Sequence, residues 1–294
     1  MKKGILCTVL SALLFGFTPV LASYTYEMGS TPETLTFYRN AMAIPMALVI
    51  LLVRRIPLKV SGVVLRDMLL VGILGRGVTT LMLYSSYSFV GIGTATTLHF
   101  MYPVFTALIG RVFFREKLGF QKIAALVLST GGVMCFLDPS QSAQATGIFL
   151  ALFSGMVYAG YLSGMERRGL SQMDPFVVSF YMAVGVSLGM LLYGVPTGTL
   201  VFALPPATLG LTAVISLCTS LLAVSLLQMG IRHLSACPAA ILSLFEPVSC
   251  SIAGAWLLQE EFALSKWIGT ALILLAVVLL FAPAPRQLQR KKAA

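Results

Sequence analysis

Apolar runs about twenty residues long recur along this chain, and that is the length an α-helix needs to cross the ~30 Å hydrocarbon core of a bilayer. Ten can be marked, at about 4–22, 33–53, 68–89, 94–114, 120–137, 146–164, 175–193, 206–228, 237–258 and 265–282. Rods that are apolar on every face have no solution in water, whereas in lipid a helix satisfies its whole backbone internally. Composition agrees. Apolar residues make up 58% and charged residues 10% of the 294, with a mean hydropathy of +0.93. A soluble domain carries about 25% charge and could not cover its surface with so little. The expectation is an all-α integral membrane protein with ten transmembrane helices.

Lysine and arginine set the orientation, because cytoplasmic links carry the excess of positive charge. With the N-terminus placed inside, 17 of the 20 basic residues fall on inner segments. Among these are Lys2, Lys3, Arg54, Arg55, Arg66, Arg115, Arg167, Arg168 and Arg232. Lys266 lies at an outer end, and Arg39 and Arg76 lie inside spans. The outer links carry mostly acids, Glu27, Asp138, Glu260 and Glu261. Both termini are therefore expected in the cytoplasm, N-in and C-in. The same placement accounts for the net charge of +10 without a nucleic-acid partner.

The halves of the chain repeat. A shift of 143 to 144 positions lays Ser11 on Ser154, Phe15 on Tyr158, Phe37-Tyr38 on Phe180-Tyr181, Pro103 on Pro247 and Glu116 on Glu260. It also lays Thr31-Pro32 on Asp174-Pro175, each a helix cap followed by proline at the first helical position. Met1-Lys2-Lys3, the apolar run and Val20-Leu21-Ala22 imitate a cleaved signal peptide. The repeat argues against cleavage, because the first span has a counterpart in the sixth. Five spans per copy is an odd number, so the second copy enters the membrane from the opposite side. The expected organisation is a repeat over 1–138, an inverted repeat over 145–283 and a basic cytoplasmic tail over 284–294. Inverted repeats characterise many secondary transporters, whose sites lie near the midplane between the copies.

These features resemble the drug/metabolite transporter superfamily, in particular its EamA-type ten-helix members. The matching residues are Thr31-Pro32 through Arg39, Pro103, Glu246-Pro247, and the paired segments Arg115-Glu116-Lys117-Leu118 and Gln259-Glu260-Glu261-Phe262. The match covers nearly the whole chain, twice. The resemblance implies a plasma-membrane carrier, usually an exporter of amino acids, related metabolites or small toxic compounds. It transfers no substrate residues, so the candidates come from physics.

A charge at bilayer depth costs several kcal/mol and therefore faces a cavity or a partner. Glu246 lies near the midplane on a face with Ala239, Ser243, Cys250 and Ala253. It is a candidate for binding a substrate amine or carrying a coupling proton; the alternative is an arginine partner that holds the bundle. Arg76 heads a stripe with Thr80, Tyr84 and Tyr87 that could hold a substrate carboxylate, or it pairs with Glu246 or snorkels to the inner interface. Arg39 serves the substrate, an outer gate or backbone carbonyls. Tyr102 is the repeat counterpart of Glu246, each one residue before a proline that frees the carbonyl four residues upstream, at His99 and Ser243. His99, Tyr102 and Thr106 share one face, and Tyr158 is the cavity candidate on span six. The substrate-binding set is Glu246, Arg76, Tyr102, Tyr84, Tyr158, His99, Thr80, Ser243 and Arg39. Glu33 is read instead as a first-turn acid favoured by the helix dipole. Trp256 and Trp267 are read as interface-belt residues.

Gly160/Gly164 and Gly185/Gly189 permit close helix approach, more in internal packing than in dimerisation, leaving monomer and weak homodimer open. Five scattered cysteines have no ligand spacing and are read as small core residues. The chain has no Walker loop, HExxH or GxSxG. No catalytic residue, metal or cofactor is expected; the partners are a small-molecule substrate, membrane lipid and, if transport is coupled, a proton carried by Glu246, with uncoupled, gradient-driven export equally open. The other readings open on sequence alone are an exporter of lipophilic cations, which would use Glu246 without Arg76, and a channel or scaffold.

Overall fold

The computed structural model describes residues 1–136, 144–257 and 264–282, all helix and connecting turn, without a strand among them. Asp138, Glu260, Glu261, the Gln259–Phe262 segment and the tail over 284–294 lie outside the described residues, as do the side chains of Ala253 and Trp256. The chain begins with α1 (Lys2–Gly16) and α2 (Thr18–Glu27), then α3 (Pro32–Ala41) and α4 (Ala43–Val53). Next come α5 (Gly62–Leu70), a wide i→i+5 turn over Val71–Gly77, and α6 (Val78–His99). They are followed by α7 (Tyr102–Phe114), α8 (Phe120–Met134), α9 (Ala145–Arg167) and α10 (Pro175–Thr197). A second wide turn, Ser216–Ala223, joins α11 (Pro206–Ile215) to α12 (Val224–Leu234). The last are α13 (Ala236–Leu242), α14 (Phe245–Leu257) and α15 (Leu264–Phe281).

Seven of the continuous helical runs are long and apolar enough to cross a membrane. Three shorter apolar helices, Tyr102–Phe114, Phe120–Met134 and Ala236–Cys250, accompany them. The surface has the polarity expected in lipid. Val112, Phe113, Leu192 and Val278 are between 67% and 79% exposed, while Ser11, Thr34, Ser86, Ser154 and Thr208 are almost fully buried. In water such an exposed apolar belt would drive aggregation; in a bilayer it is the solvated face.

Local chemistry sets the ends of the rods. The Thr31 hydroxyl accepts from the Thr34 N–H at 3.1 Å, and the Asp174 carboxylate accepts from the Phe176 N–H at 2.9 Å. Each cap precedes a proline whose missing N–H costs nothing in a first turn. Four interior prolines then explain the breaks. Pro19, Pro45, Pro103 and Pro247 cannot donate to the fourth residue upstream, and the rods interrupt at Phe17, Met42, Phe100-Met101 and Ser243-Leu244. Of the two carbonyls expected to be freed, that of His99 presses on Gly155, where an added Cβ would lie 2.7 Å away. That of Ser243 is instead taken by the Glu246 N–H at 2.9 Å. None of the five cysteines is joined in a disulfide.

The packing maps onto itself when the two halves are exchanged. α1 packs on α12 and α14, as α9 packs on α6 and α7. α4 meets the Ser216–Ala223 turn as α10 meets the Val71–Gly77 turn, and α8 with α15 joins like to like. Even strain recurs. Gly91 has φ 71, ψ 161, and Ser235, 144 positions later, has φ 75, ψ 167. Only glycine adopts that region without cost; an L-residue loses roughly 1–3 kcal/mol there. Ser235→Gly should therefore raise stability by about 1 kcal/mol after the added chain entropy, and Gly91→Ser should lower it by a similar amount. Thermal unfolding of the two variants in one detergent checks both signs.

Glycine pairs divide by surroundings. Gly185 and Gly189 meet Leu69 and Ile73 of the neighbouring rod, and Gly164 meets Val71, whereas Gly160 faces open space.

Candidate functional site

The broken and widened helices converge on one cavity between the halves. Its walls come from α1, α2, α3, the Val71–Gly77 turn, α6, α9, α12 and α14. It offers about 80 Å³ to the centres of water molecules. One water needs about 10–15 Å³ on that measure, so the space suits a small metabolite and not a polymer.

Its polar end is built by Arg39, Arg76 and Ser220. Glycines at 72, 75 and 77 let the widened turn settle against Met182 and Tyr161. A wide turn disrupts the regular i→i+4 ladder, and long side chains can address its carbonyls. Arg76 Nη2 donates to the Ser220 carbonyl at 3.1 Å, inside the other wide turn. Arg39 Nε donates to the Ser220 hydroxyl at 3.0 Å and Nη1 to the Tyr84 hydroxyl at 2.6 Å. The Ser216 hydroxyl returns a bond to the Arg39 carbonyl at 2.7 Å, and Ser11 reaches the Ala223 carbonyl at 2.7 Å. Both guanidinium residues are 5% exposed. Neither forms an ion pair among the described residues. Arg76 Nη1 is buried without an acceptor.

Glu246 opens on the same cavity from the first turn of α14. It is half-buried, and its carboxyl forms no hydrogen bond or ion pair among the described residues, so neither arginine neutralises it by contact. Gly16 of α1 holds this turn in place, since an added Cβ would fall 2.8 Å from the Glu246 carbonyl oxygen and against Ser249 Oγ.

An aromatic wall completes the space. Tyr158 stacks on Tyr161 with ring centres 5.5 Å apart, and His99 lies 5.4 Å from Tyr158. His99 Nδ1 is 2.9 Å from the Ser154 hydroxyl, which itself donates to the Ala151 carbonyl at 2.6 Å. With that hydroxyl proton committed to Ala151, Nδ1 is placed to donate to the Ser154 oxygen. Thr80 lines the cavity and bonds its hydroxyl back to the Arg76 carbonyl at 3.0 Å.

Seven of the nine residues singled out from sequence thus share one cavity, Glu246, Arg76, Arg39, Tyr84, Tyr158, His99 and Thr80. Tyr102 and Ser243 stand behind the wall. Tyr102 is fully buried with its ring 4.9 Å from Tyr158. Ser243 is its nearest polar neighbour, but the Ser243 hydroxyl donates to the Ala239 carbonyl at 2.9 Å, and Tyr102 Oη is left without a bond of good geometry. Phe15, Thr18, Thr79 and Thr96 also line the cavity, uncharged residues that only the three-dimensional arrangement selects.

One end of the bundle is closed by charge. Three successive residues at the end of α9 tie down three other segments. Arg168 meets Asp67 of α5 at 2.9 Å, Arg167 pairs with Glu116 after α7, and the Glu166 carboxylate accepts the Ala236 N–H at the start of α13 at 2.7 Å. Arg66 adds a second contact to Asp67 at 3.0 Å.

Comparison with known proteins agrees with this architecture. The chain matches the EamA-like transporter family over residues 2–137 and again over 145–282. It is 25% identical over 283 residues to the uncharacterized transporter YcbK of Bacillus subtilis, covering 90% of this chain and 88% of that one. It is 25% identical over 278 residues to an uncharacterized transporter of Archaeoglobus fulgidus, covering 94% and 98%. A crystal structure of a protein of 16% identity superposes with a TM-score of 0.80 over 98% of this chain and 99% of the other, a likeness of fold. Matched in both halves, helical without a strand over its described residues and surfaced for lipid, this chain belongs to the EamA-like transporter family of multi-pass membrane proteins.

Proposed function

We propose that the protein is a ten-span carrier of the plasma membrane that exports small organic metabolites such as amino acids. Its halves, 1–138 and 145–283, are inverted five-helix repeats that rock about the cavity they share and open it to one side at a time. The observation that carries this reading is the arrangement of charge. Two guanidiniums and one carboxyl open on a space of metabolite size, and no described residue pairs them with one another. Buried charges left unpaired are costly unless a ligand completes them. Arg76 and Arg39 fit a substrate carboxylate, Glu246 fits an ammonium, and Tyr84, Tyr158, Thr80 and His99 supply polar edges and apolar area. Tyr102 and Ser243 support that wall from behind.

The N-in, C-in topology has support from contacts. Gly4 lies against His233 and Leu234, and Gln121, just beyond the Glu116 segment, donates to the Ala282 carbonyl at 3.0 Å. The first and last described spans thus reach the end of the bundle that carries Arg66, Arg167, Arg168 and Arg232, the basic side expected in the cytoplasm. Among the described residues Glu246 is the only acid opening on the cavity, and it is the residue assigned a coupling proton if transport is proton-driven.

Purified protein in liposomes should show saturable counterflow of labelled amino acid. Arg76→Gln should lower kcat/KM for such a substrate about 30-fold or more, the effect of leaving a bound carboxylate without its charge partner. Flux that does not saturate would indicate a channel. Undiminished transport by a monodisperse Arg76→Gln variant would favour a lipophilic-cation carrier that relies on Glu246 alone.

A further inference from the structure

Among the described residues, the charges that line the cavity do not balance. Arg39 and Arg76 contribute two positive charges and Glu246 one negative, and the acids Glu27, Glu33, Asp67, Glu116, Glu166 and Asp174 stand at helix ends. His99, whose Nδ1 lies 2.9 Å from the Ser154 hydroxyl, brings no negative charge to offset the arginines. A zwitterion of zero net charge, with one carboxylate for the arginines and one ammonium for Glu246, would leave one guanidinium uncompensated in a low-dielectric space.

The geometry gives the two arginines separate tasks. They sit on either side of Ser220, Arg39 held by its hydroxyl at 3.0 Å and Arg76 by its carbonyl at 3.1 Å. Each spends donors on the protein and keeps some for a ligand. Arg76 Nη1 is buried without an acceptor, and the Arg39 bonds engage only Nε and Nη1. A guanidinium presents five donors in a rigid fork, so a fork with free prongs is matched by an acid group.

We infer, resting on the amino-acid reading above, that the cavity takes a solute with two acidic groups and one ammonium, net charge −1, the acidic amino-acid class. Each guanidinium receives one acid group and Glu246 receives the ammonium. A dicarboxylate without an amine would set three carboxylates around two guanidiniums and leave Glu246 repelling the ligand. A phosphate monoester could bridge both arginines, yet it offers Glu246 nothing.

Near-isosteric pairs isolate the second acid group. Counterflow in proteoliposomes is measured with L-glutamate, L-glutamine, L-aspartate, L-asparagine and glutarate. The expected result is a kcat/KM at least ~10-fold higher for each acidic amino acid than for its amide, since a buried charge left unpaired costs a few kcal/mol. Glutarate should fall below glutamate. Arg39→Gln should reduce glutamate and aspartate exchange ~10-fold or more and collapse the ratio of acid to amide toward one, with Arg39→Lys restoring part of the preference. The wild-type comparison needs no variant and stands if Arg39→Gln does not fold. Amides exchanged as well as acids would overturn this inference while the amino-acid carrier survives. Absence of saturable exchange for all five solutes would overturn both.

Discussion

Glu246→Gln should abolish most substrate exchange and leave the protein as stable as before, or more so. The carboxyl lies in the first turn of α14, opens on the cavity, and has no described hydrogen bond or ion pair. Folding therefore bears the cost of its desolvation without a compensating contact, and the amide removes that cost. Transport depends on it in the opposite sense, because an ammonium in the cavity has no other described carboxylate to meet. Counterflow should fall about 30-fold or more, while the unfolding temperature in detergent should hold or rise. Wild-type exchange in the Gln variant would remove Glu246 from the site. A variant that still exchanges substrate but no longer responds to a proton gradient would assign the carboxyl to the proton and not to the amine.

Gly16→Ala should cost both stability and transport, though it adds only one methyl. The Cβ would meet Ser249 Oγ and, at 2.8 Å, the Glu246 carbonyl oxygen. Ser249 can rotate away; the carbonyl belongs to the α14 backbone and moves only if the helix moves. Overpacking of this kind costs about 1–3 kcal/mol. The shift falls on the turn that carries Glu246, so exchange should fall ~10-fold or more, as expected when a binding group is displaced by a fraction of an ångström. Gly16→Ala with Ser249→Ala should recover only the side-chain part of the loss. Gly160→Ala is the control, because nothing lies within 4 Å of that position, and replacing an open helical glycine should be neutral or stabilising. Unfolding temperatures and counterflow of the three variants decide the matter, and unchanged exchange in Gly16→Ala would show that α1 does not position Glu246.

The apolar rods, the caps at Thr31 and Asp174 and the repeat were legible because each is written locally. A cap needs a hydroxyl or carboxyl beside a proline, and the repeat shows as matched residues at a fixed shift. The charged candidates were legible for the same kind of reason, since a guanidinium or carboxyl cannot face hydrocarbon. What stayed hidden depends on partners remote in the chain. The wide turns at Val71–Gly77 and Ser216–Ala223 leave no mark in a 3.6-residue periodicity. The use of the Ser220 carbonyl by Arg76 joins residues 144 positions apart. Tyr102 shares a helical face with His99, yet packing turns His99 toward the cavity and shuts Tyr102 behind Tyr158. Pro19 and Pro45 carried the same signal as Pro103 and Pro247, a donor missing four residues downstream of a carbonyl, and could have predicted the breaks at Phe17 and Met42.

The triplet Glu166-Arg167-Arg168 clasps three segments through groups that water reaches, the Arg168 and Arg66 side chains being 52% and 59% exposed. Attractions of that sort weaken as dissolved ions crowd around them, over a Debye length of about 8 Å at physiological salt. The clasp therefore senses the electrolyte on its own side of the membrane and is blind to the other. Added salt on that side should therefore loosen the hold of α9 on α5 and on the segment that follows α7.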